Sequence, residues 1–343
     1  MKTLLKVGLA AVALLASLGA FALRADNRPP TLYAVTILGP GNAYKASNTD
    51  ASGEFLVVGG TPDPNVIVRP TVWTVSTDGT VVDVFIYDTL GTGQALDVND
   101  HGMVVGSSNS GDFVDIPGVG IKFLNGSVQA VNNLGVVVGF TSDPSGPDKV
   151  SGAVWYVDPQ GGLTGPVLTT VGPGVTFMPN DINDEGTMCG FILTAGSSNI
   201  FAAIAEFDRD GELDVTNLGV LHPGDTGSNA RSINSDGIVA SDSGNSSGSS
   251  AFVWDPSHPN KLTSLGEGVA APDINDNSQV AFSTVNKANV TIGAICQNGK
   301  TTDLNTVLAA PTNDTIELAN GINNTGHIVG LLQSGNACVL TPQ

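Results

Sequence analysis

The sequence predicts an all-β protein, a seven-bladed β-propeller of four-stranded blades, with six or eight blades as alternatives. Three observations lead to this prediction. A turn pattern containing Asn recurs about every 45 residues, which is the period of a four-stranded propeller blade. Short apolar segments flank each turn. The composition is rich in Gly and low in charge, with 43 Gly and 13% charged residues, as expected for short strands and tight turns.

The repeated turn consists of an apolar residue, Asn, two variable residues and Gly. Asn at the first position caps a type I turn, and Gly at the fourth takes the left-handed conformation that follows it. In one copy Ser278 replaces Gly, so that turn must be strained or adopt another type. The clear copies begin at Asn99, Asn132, Asn183, Asn234, Asn275 and Asn323, and a degenerate seventh begins at Asp50.

The spacing of these copies sets the number of blades. The steps from Asp50 onward are 49, 33, 51, 51, 41 and 48 residues. The step of 33, from Asn99 to Asn132, leaves little room for a full blade.

A second hairpin follows the repeated turn in most copies. Its first strand contains each of the three tryptophans, Trp73, Trp155 and Trp254, at one equivalent position. Each unit is therefore a four-stranded meander, which buries its faces only by packing against similar neighbours.

The two ends of the chain predict how the ring closes. The last unit stops after its third strand, at residues 337–340, whereas Tyr33–Gly39 resembles a fourth strand without a blade. We therefore expect the N-terminal strand to complete the last blade, within a single propeller domain spanning residues 33–343.

The first 22 residues are typical of a secretory signal peptide. Lys2 and Lys6 precede an apolar run that ends in the small-x-small sequence Ala20-Phe21-Ala22. An uncleaved signal anchor is the alternative. We expect cleavage after residue 22, a short linker over residues 23–32, and a secreted or periplasmic protein without an integral membrane segment after cleavage.

The charge of the chain excludes one class of partner. The net charge is −19, and removal of Lys2 and Lys6 with the signal peptide leaves 11 basic against 32 acidic residues, a net charge of −21. A protein this acidic is repelled by phosphate backbones, so we expect no nucleic-acid binding. Cations are compatible partners.

Cysteine and histidine show no metal-ligand spacing. We interpret the three cysteines first as small core residues and second as containing a disulfide pair, which would leave one thiol unpaired. The cysteines are Cys189, Cys296 and Cys338. We expect the four histidines to lie on the surface. They are His101, His222, His258 and His327.

Three copies of the turn have the sequence Asp-x-Asn-Asp, which offers oxygen ligands for Ca²⁺. The candidate ligands are Asp97, Asp100, Asp181, Asp184, Asp273 and Asp276. The competing interpretation is turn formation, which already requires the Asn and the Gly. It is favoured because the bidentate Glu of an EF-hand loop is replaced by Ser108, Ile192 and Thr284. Apart from calcium, no cofactor is expected.

The run from Ala230 to Gly237, the Ala-Phe-Val-Trp strand at 251–254 and the Leu-Gly step at 265–266 resemble the HAF-type extracellular repeats. Ser250 and Ser151 occupy the position of the His in the His-Ala-Phe run that gives those repeats their name. The resemblance covers nearly all of residues 33–340. It implies an exported repeat protein, and it supplies no catalytic residue and no established activity.

The loops that follow the second strand of each unit are the least repetitive parts of the chain, and we expect them to share one end of the ring. They include residues 60–70, 107–119, 141–149, 193–199 and 241–250, and the inter-blade links 165–178 and 220–228 share their end. Their Ser, Gly, Asn, Asp and Pro favour a polar ligand such as a glycan or an envelope component, although solvated connectors would have the same composition.

The leading function is a non-catalytic binding or surface module, and the sequence shows no catalytic constellation. The alternative is an extracellular propeller enzyme that hydrolyses or cleaves a polysaccharide with acids converging on the axial channel. A structural component that self-associates is a third class.

Overall fold

The computed structural model describes residues 30–146, 149–158 and 160–343. Its strands form seven four-stranded antiparallel blades in a ring, so the predicted seven-bladed β-propeller is confirmed. The predicted signal peptide lies outside the described residues. Within the described part of the chain, no helix has the length and apolar character needed to span a membrane.

The first three blades each use four consecutive strands. The first strand, β1 (Tyr33–Pro40), belongs to the last blade. Blade 1 contains β2 (Asn42–Ala46), β3 (Glu54–Pro62), β4 (Val68–Ser76) and β5 (Val81–Ile86). Blade 2 contains β6 (Gly93–Val98), β7 (Val104–Ser108), β8 (Phe113–Ile116) and β9 (Gly120–Phe123). Blade 3 contains β10 (Ser127–Val131), β11 (Val136–Ser142), β12 (Val150–Val157) and β13 (Leu163–Leu168).

The next two blades depart slightly from this plan. Blade 4 begins with a short additional strand and contains β14 (Thr170–Gly172), β15 (Val175–Ile182), β16 (Met188–Thr194), β17 (Phe201–Phe207) and β18 (Leu213–Gly219). Blade 5 contains β19 (Gly227–Ile233), β20 (Val239–Asn245), β21 (Gly248–Trp254) and the start of β22 (Leu262–Ile274). This long strand continues without a break as the innermost strand of blade 6.

The last two blades complete the ring. Blade 6 adds β23 (Val280–Val285), β24 (Thr291–Gln297) and β25 (Lys300–Asp303) to β22. Blade 7 contains β26 (Ile316–Ile322), β27 (Ile328–Leu332), β28 (Asn336–Pro342) and β1. Short 3-10 helices at Asp88–Leu90 and Leu304–Thr306 follow blades 1 and 6.

Two sequence expectations about lengths need correction. The 33-residue step does hold a full blade, because the four strands of blade 2 are only four to six residues long. Several links are shorter than expected. Residues 107–119 contain β8, 165–178 contain β14, and 241–250 lie mostly in β20 and β21, because Ser- and Gly-rich sequence continues in strand conformation where its backbone is paired.

Ring closure follows the prediction. β1 pairs antiparallel with β28, from Tyr33 opposite Pro342 to Pro40 opposite Asn336. Tyr33 is buried in the apolar cluster between blades 6 and 7, and its main chain bonds to Val307 and Ala309. The N-terminal strand thereby joins the two ends of the chain.

The core of the described residues consists of seven apolar clusters, one at each interface between adjacent blades. Trp73, Trp155 and Trp254 are buried in three of them. The three cysteines are buried and unpaired, in separate clusters, so their interpretation as small core residues is confirmed.

Candidate functional site

The ring has two chemically different ends. We call the end at which the repeated Asn turns join the first and second strands the turn end. We call the opposite end, at which links join the second and third strands, the loop end. The antiparallel meander places these two sets of connections on opposite faces.

Each repeated Asn at the turn end has two roles. The Oδ1 of Asn99 accepts the main-chain N–H of His101 at 3.0 Å and of Met103 at 2.9 Å, which caps the turn. Its Nδ2 donates to the carbonyl of Asn132 in the next blade at 2.9 Å. The same inter-blade bond runs from Asn132 to Asn183, Asn183 to Asn234, Asn234 to Asn275, Asn275 to Asn323, and Asn323 to Ser47. The Asn ring therefore connects the blades, a role that turn chemistry alone did not predict.

In blade 1 the turn cap and the inter-blade contact lie on two different residues, and that contact is an accepted bond only. The carbonyl of Ser47 accepts the inter-blade bond from Asn323 at 3.1 Å, whereas the Oδ1 of Asp50 caps the turn by accepting the N–H groups of Ser52 and Glu54. The degenerate copy at Asp50 thus forms the turn. Ser47, three residues earlier, occupies the position that the repeated Asn has in the other blades.

An outer ring around the axis is formed by the residues that follow Ser47 in blade 1 and the repeated Asn in the other blades. Its members are Asn48, Asp100, Asn133, Asp184, Ser235, Asp276 and Asn324. The Nδ2 of Asn133 donates to Asp100 at 3.0 Å and to Asp184 at 2.9 Å, and the Nδ2 of Asn324 donates to Asp276 at 2.6 Å. Amide and hydroxyl residues between the carboxylates reduce like-charge repulsion.

Deeper in the channel, Asp97, Asp181 and Asp273 lie at a β-bulge that every innermost strand contains. Each carboxylate accepts a main-chain N–H from the innermost strand of the next blade, two residues after the bulge of that strand. The innermost strand is an edge strand, so this N–H has no neighbouring strand to pair with. Asp97 bonds to Val131 at 2.8 Å, Asp181 to Ile233 at 3.1 Å and Asp273 to Ile322 at 2.8 Å.

Lys45 of blade 1 lies among these three acids. Its Nζ is 2.5 Å from Asp273 Oδ1 and 3.9 Å from Asp181 Oδ2. Lys45 was not among the predicted residues, because the first copy of the repeat was aligned on Asp50. The detectable signal is that Lys45-Ala46-Ser47-Asn48 aligns with Asp97-Val98-Asn99-Asp100.

Burial controls the ionisation of this cluster. It raises the pKa of Asp97 to about 7, against the attraction of Lys45 and with repulsion from Asp181. Burial also raises the pKa of Asp181, again opposed by Lys45. Burial disfavours the ammonium of Lys45, but the charges of Asp273, Asp181 and Asp97 outweigh it and raise its pKa.

The structure divides the six calcium candidates between two layers. Asp97, Asp181 and Asp273 are buried in the channel, and Asp100, Asp184 and Asp276 are exposed in the outer ring. Both layers line one cavity of about 210 Å³. The described residues contain no group of three or more His, Cys, Asp or Glu side chains arranged to hold a metal, and the ammonium of Lys45 already contacts the inner acids. Calcium binding by this chain stays a prediction.

The loop end contains a polar cleft of about 330 Å³ between blades 4 and 5. Arg231 and Asp242 form an ion pair there, with Nε 2.5 Å from Oδ1. Asn229 is 8% exposed, and its Oδ1 accepts from Asn180 Nδ2 at 2.6 Å. Asp242 lies in the predicted loop segment 241–250, whereas Asn229 and Arg231 lie in β19 and were not predicted, although Arg231 is one of only 13 basic residues.

A second cavity at the loop end, of about 570 Å³, lies beside the link from blade 6 to blade 7. Asp303, Asp314 and Thr312 line it together with the apolar Ile292 and Leu308. Both carboxylates already accept local main-chain bonds, from Asn305 and Thr315 respectively.

The expectation of four surface histidines is correct for three and wrong for His327. His101, His222 and His258 are exposed, but His327 is buried between blades 7 and 1. Its ring packs on Phe55 at 4.5 Å and its Nε2 lies 3.0 Å from the carbonyl of Thr77. Burial lowers the pKa of His327. A buried position is tolerated because Thr325 and Thr77 satisfy both ring nitrogens.

Comparison with known proteins gives the fold and no family. No family model and no curated protein matches the chain. The solved structures that resemble it include the β-propeller domain of the Trilobed protease from Pyrococcus furiosus, at 10% identity and a TM-score of 0.52, covering 88% of this chain and 91% of that one. The BP39L lectin from Burkholderia pseudomallei is 12% identical with a TM-score of 0.51, covering 89% and 97%.

A third similar structure is virginiamycin B lyase from Staphylococcus aureus, at 14% identity and a TM-score of 0.49, covering 90% of this chain and 99% of that one. At identities this low, the likeness to the two structures with TM-scores above 0.5 supports the β-propeller fold alone. The HAF-type resemblance stays a prediction.

Proposed function

We propose that the protein is an exported, non-catalytic binding module that holds a polar ligand, such as a glycan or an envelope component, at its loop end. The supporting observation is the contrast between the two ends. The channel carboxylates bond to backbone N–H groups of the next blade, whereas the loop end presents two cavities whose linings combine polar and apolar groups. Variable connections on a rigid scaffold are a common location for binding sites. The lectin with a similar propeller is compatible with this proposal.

A glycan and polysaccharide array probed with the mature protein tests the proposal. We expect binding without release of reducing ends or unsaturated products. Absence of binding to every polar probe would contradict it.

One observation favours the alternative, a propeller enzyme acting on a polysaccharide. A carboxyl whose pKa is raised to about 7 is suited to general acid–base chemistry, and Asp97 lines the turn-end cavity. Polysaccharide cleavage that disappears in Asp97→Asn while the fold is retained would establish this alternative over the binding module.

A further inference from the structure

We propose that the cleft between blades 4 and 5 binds a neutral, hydroxyl-rich ligand, such as a monosaccharide or disaccharide, through Arg231, Asp242 and Asn229. This inference rests on the binding function proposed above and assigns it a location and a ligand class.

The strand register brings the three side chains together. Asn229 of β19 is directly opposite Asp242 of β20, and residues opposite each other in an antiparallel pair project from the same face. Arg231 lies at the bulge between Ala230 and Ser232, where a strand can redirect a side chain. The ion pair with Asp242 then holds the guanidinium over the cleft.

Blade 4 supplies the opposite wall. The segment Ser198–Ile200 lines the cleft, and the N–H of Ser228 donates to the carbonyl of Ile200 at 2.9 Å. Asn180 of blade 4 fixes Asn229 by donating to its Oδ1 and to the carbonyl of Ala230 at 2.7 Å. The polar groups are therefore positioned before any ligand arrives, which reduces the entropy cost of binding.

Several hydrogen-bonding atoms in the cleft have no partner among the described residues. They are the Nδ2 of Asn229, the Oδ2 of Asp242 and the two terminal nitrogens of Arg231. Nδ2 and the guanidinium only donate, and the carboxylate only accepts. A hydroxyl group does both, so neighbouring hydroxyls of one ligand match this mixed set.

Charge and shape narrow the ligand class. The charges of Arg231 and Asp242 offset each other, and the net charge of −19 disfavours an anionic ligand. No aromatic side chain is among the described residues that line the cleft, and three of these residues, Gly227, Gly244 and Gly248, have no side chain. Its volume of about 330 Å³ is near the lower end of ligand pockets, roughly 300–1,000 Å³. These features favour a small neutral polyol over an aromatic or highly charged molecule.

The test measures binding of glucose, galactose, mannose, fucose and their disaccharides, with glucuronic acid, sialic acid and glucosamine as charged probes. The variants are Arg231→Gln and Asp242→Asn. Arg69→Gln and Asp63→Asn are matched controls, because they disrupt a similar loop-end ion pair of 3.1 Å in blade 1. We expect a neutral sugar to bind the wild-type protein. The affinity should fall roughly tenfold or more in the two cleft variants, as the loss of charged hydrogen bonds predicts. The control variants should bind normally, and every variant should show a cooperative melting curve.

The outcomes separate the two proposals. If a neutral sugar binds wild type and both cleft variants equally, the cleft assignment is wrong and the binding function stands. If only a charged probe binds and the cleft variants lose it, the ligand class is wrong. If no probe binds wild type in this set or in the wider array, both proposals are wrong.

Discussion

Asn183 at the turn end and Asn286 at the loop end occupy similar turns with different surroundings. The Oδ1 of Asn183 caps the N–H of Thr187 and its Nδ2 bonds to Asn234 in the next blade. The Oδ1 of Asn286 caps Ala288 and Val290, but its turn is largely exposed and no inter-blade bond from it is seen in the described structure. The same residue type therefore connects blades at one end and only shapes a loop at the other. We expect changes at the turn end to reduce stability and changes at the loop end to affect binding.

The largest expected effect comes from breaking the ring on which the turn-end contacts depend. Deletion of residues 33–39 removes most of β1, including the buried Tyr33, and exposes the edge of β28. We expect Tm to fall by about 10 °C or more, measured by circular dichroism on the mature chain. An unchanged melting curve would contradict the prediction that pairing of β1 with β28 is the main contact that keeps the ring closed.

Replacing the two asparagines compares the ends directly. Asn183→Ala leaves the buried N–H of Thr187 without its partner and removes one of the two bonds that the carbonyl of Asn234 accepts, so we expect a loss of about 2–4 kcal/mol in the free energy of unfolding. Asn286→Ala removes only an exposed cap and should cost about 0.5–1 kcal/mol. Urea denaturation measures both. Equal losses would show that the inter-blade bond contributes little.

The two ends should also differ in the sign of their pH dependence. Because the folded pKa of Asp97 is raised to about 7, its contribution to stability is fully present below the usual Asp pKa of about 4 and is lost as pH rises through about 7. Asp97→Asn removes this dependence, so the Tm of wild type should fall relative to the variant between pH 4 and 8. Parallel Tm curves would contradict the raised pKa.

Asp63 at the loop end is the control of opposite sign. A bond from the N–H of Ile67, opposed by desolvation and assisted by Arg69, lowers its pKa. Its contribution is present above the usual pKa and is lost as pH falls through the lowered folded value. The stability difference between wild type and Asp63→Asn should therefore shrink on acidification.

The smallest expected effect concerns one turn at the turn end. Ser278 has a φ of +56° in the position where the other copies have Gly, so the predicted strain is present. Ser278→Gly should raise the free energy of unfolding by about 0.5–1 kcal/mol. Gly186→Ser is the reciprocal control, because Gly186 has a φ of +90° and open space around it. This variant should lose a similar amount of free energy of unfolding. No change in either variant would show that the turns relax freely.

The sequence by itself determined the architecture. Turn residues at a regular period and alternating apolar strands specify four-stranded units, because local backbone chemistry requires Asn and Gly at fixed positions. The unmatched strand at Tyr33–Gly39 likewise predicted the closure with β28. The sequence also predicts six of the acids at the turn end, since they lie within the repeated pattern.

Only the tertiary structure decided what those polar groups contact. The bonds from Asn183 to Asn234 and from Lys45 to Asp273 join residues 51 and 228 positions apart, and no local pattern encodes such a pairing. The burial of His327 and the meeting of Arg231, Asp242 and Asn229 likewise follow from blade packing and strand register. A repeat determines its own turn, whereas the partner of each side chain is fixed only when the ring closes and brings distant copies to one axis.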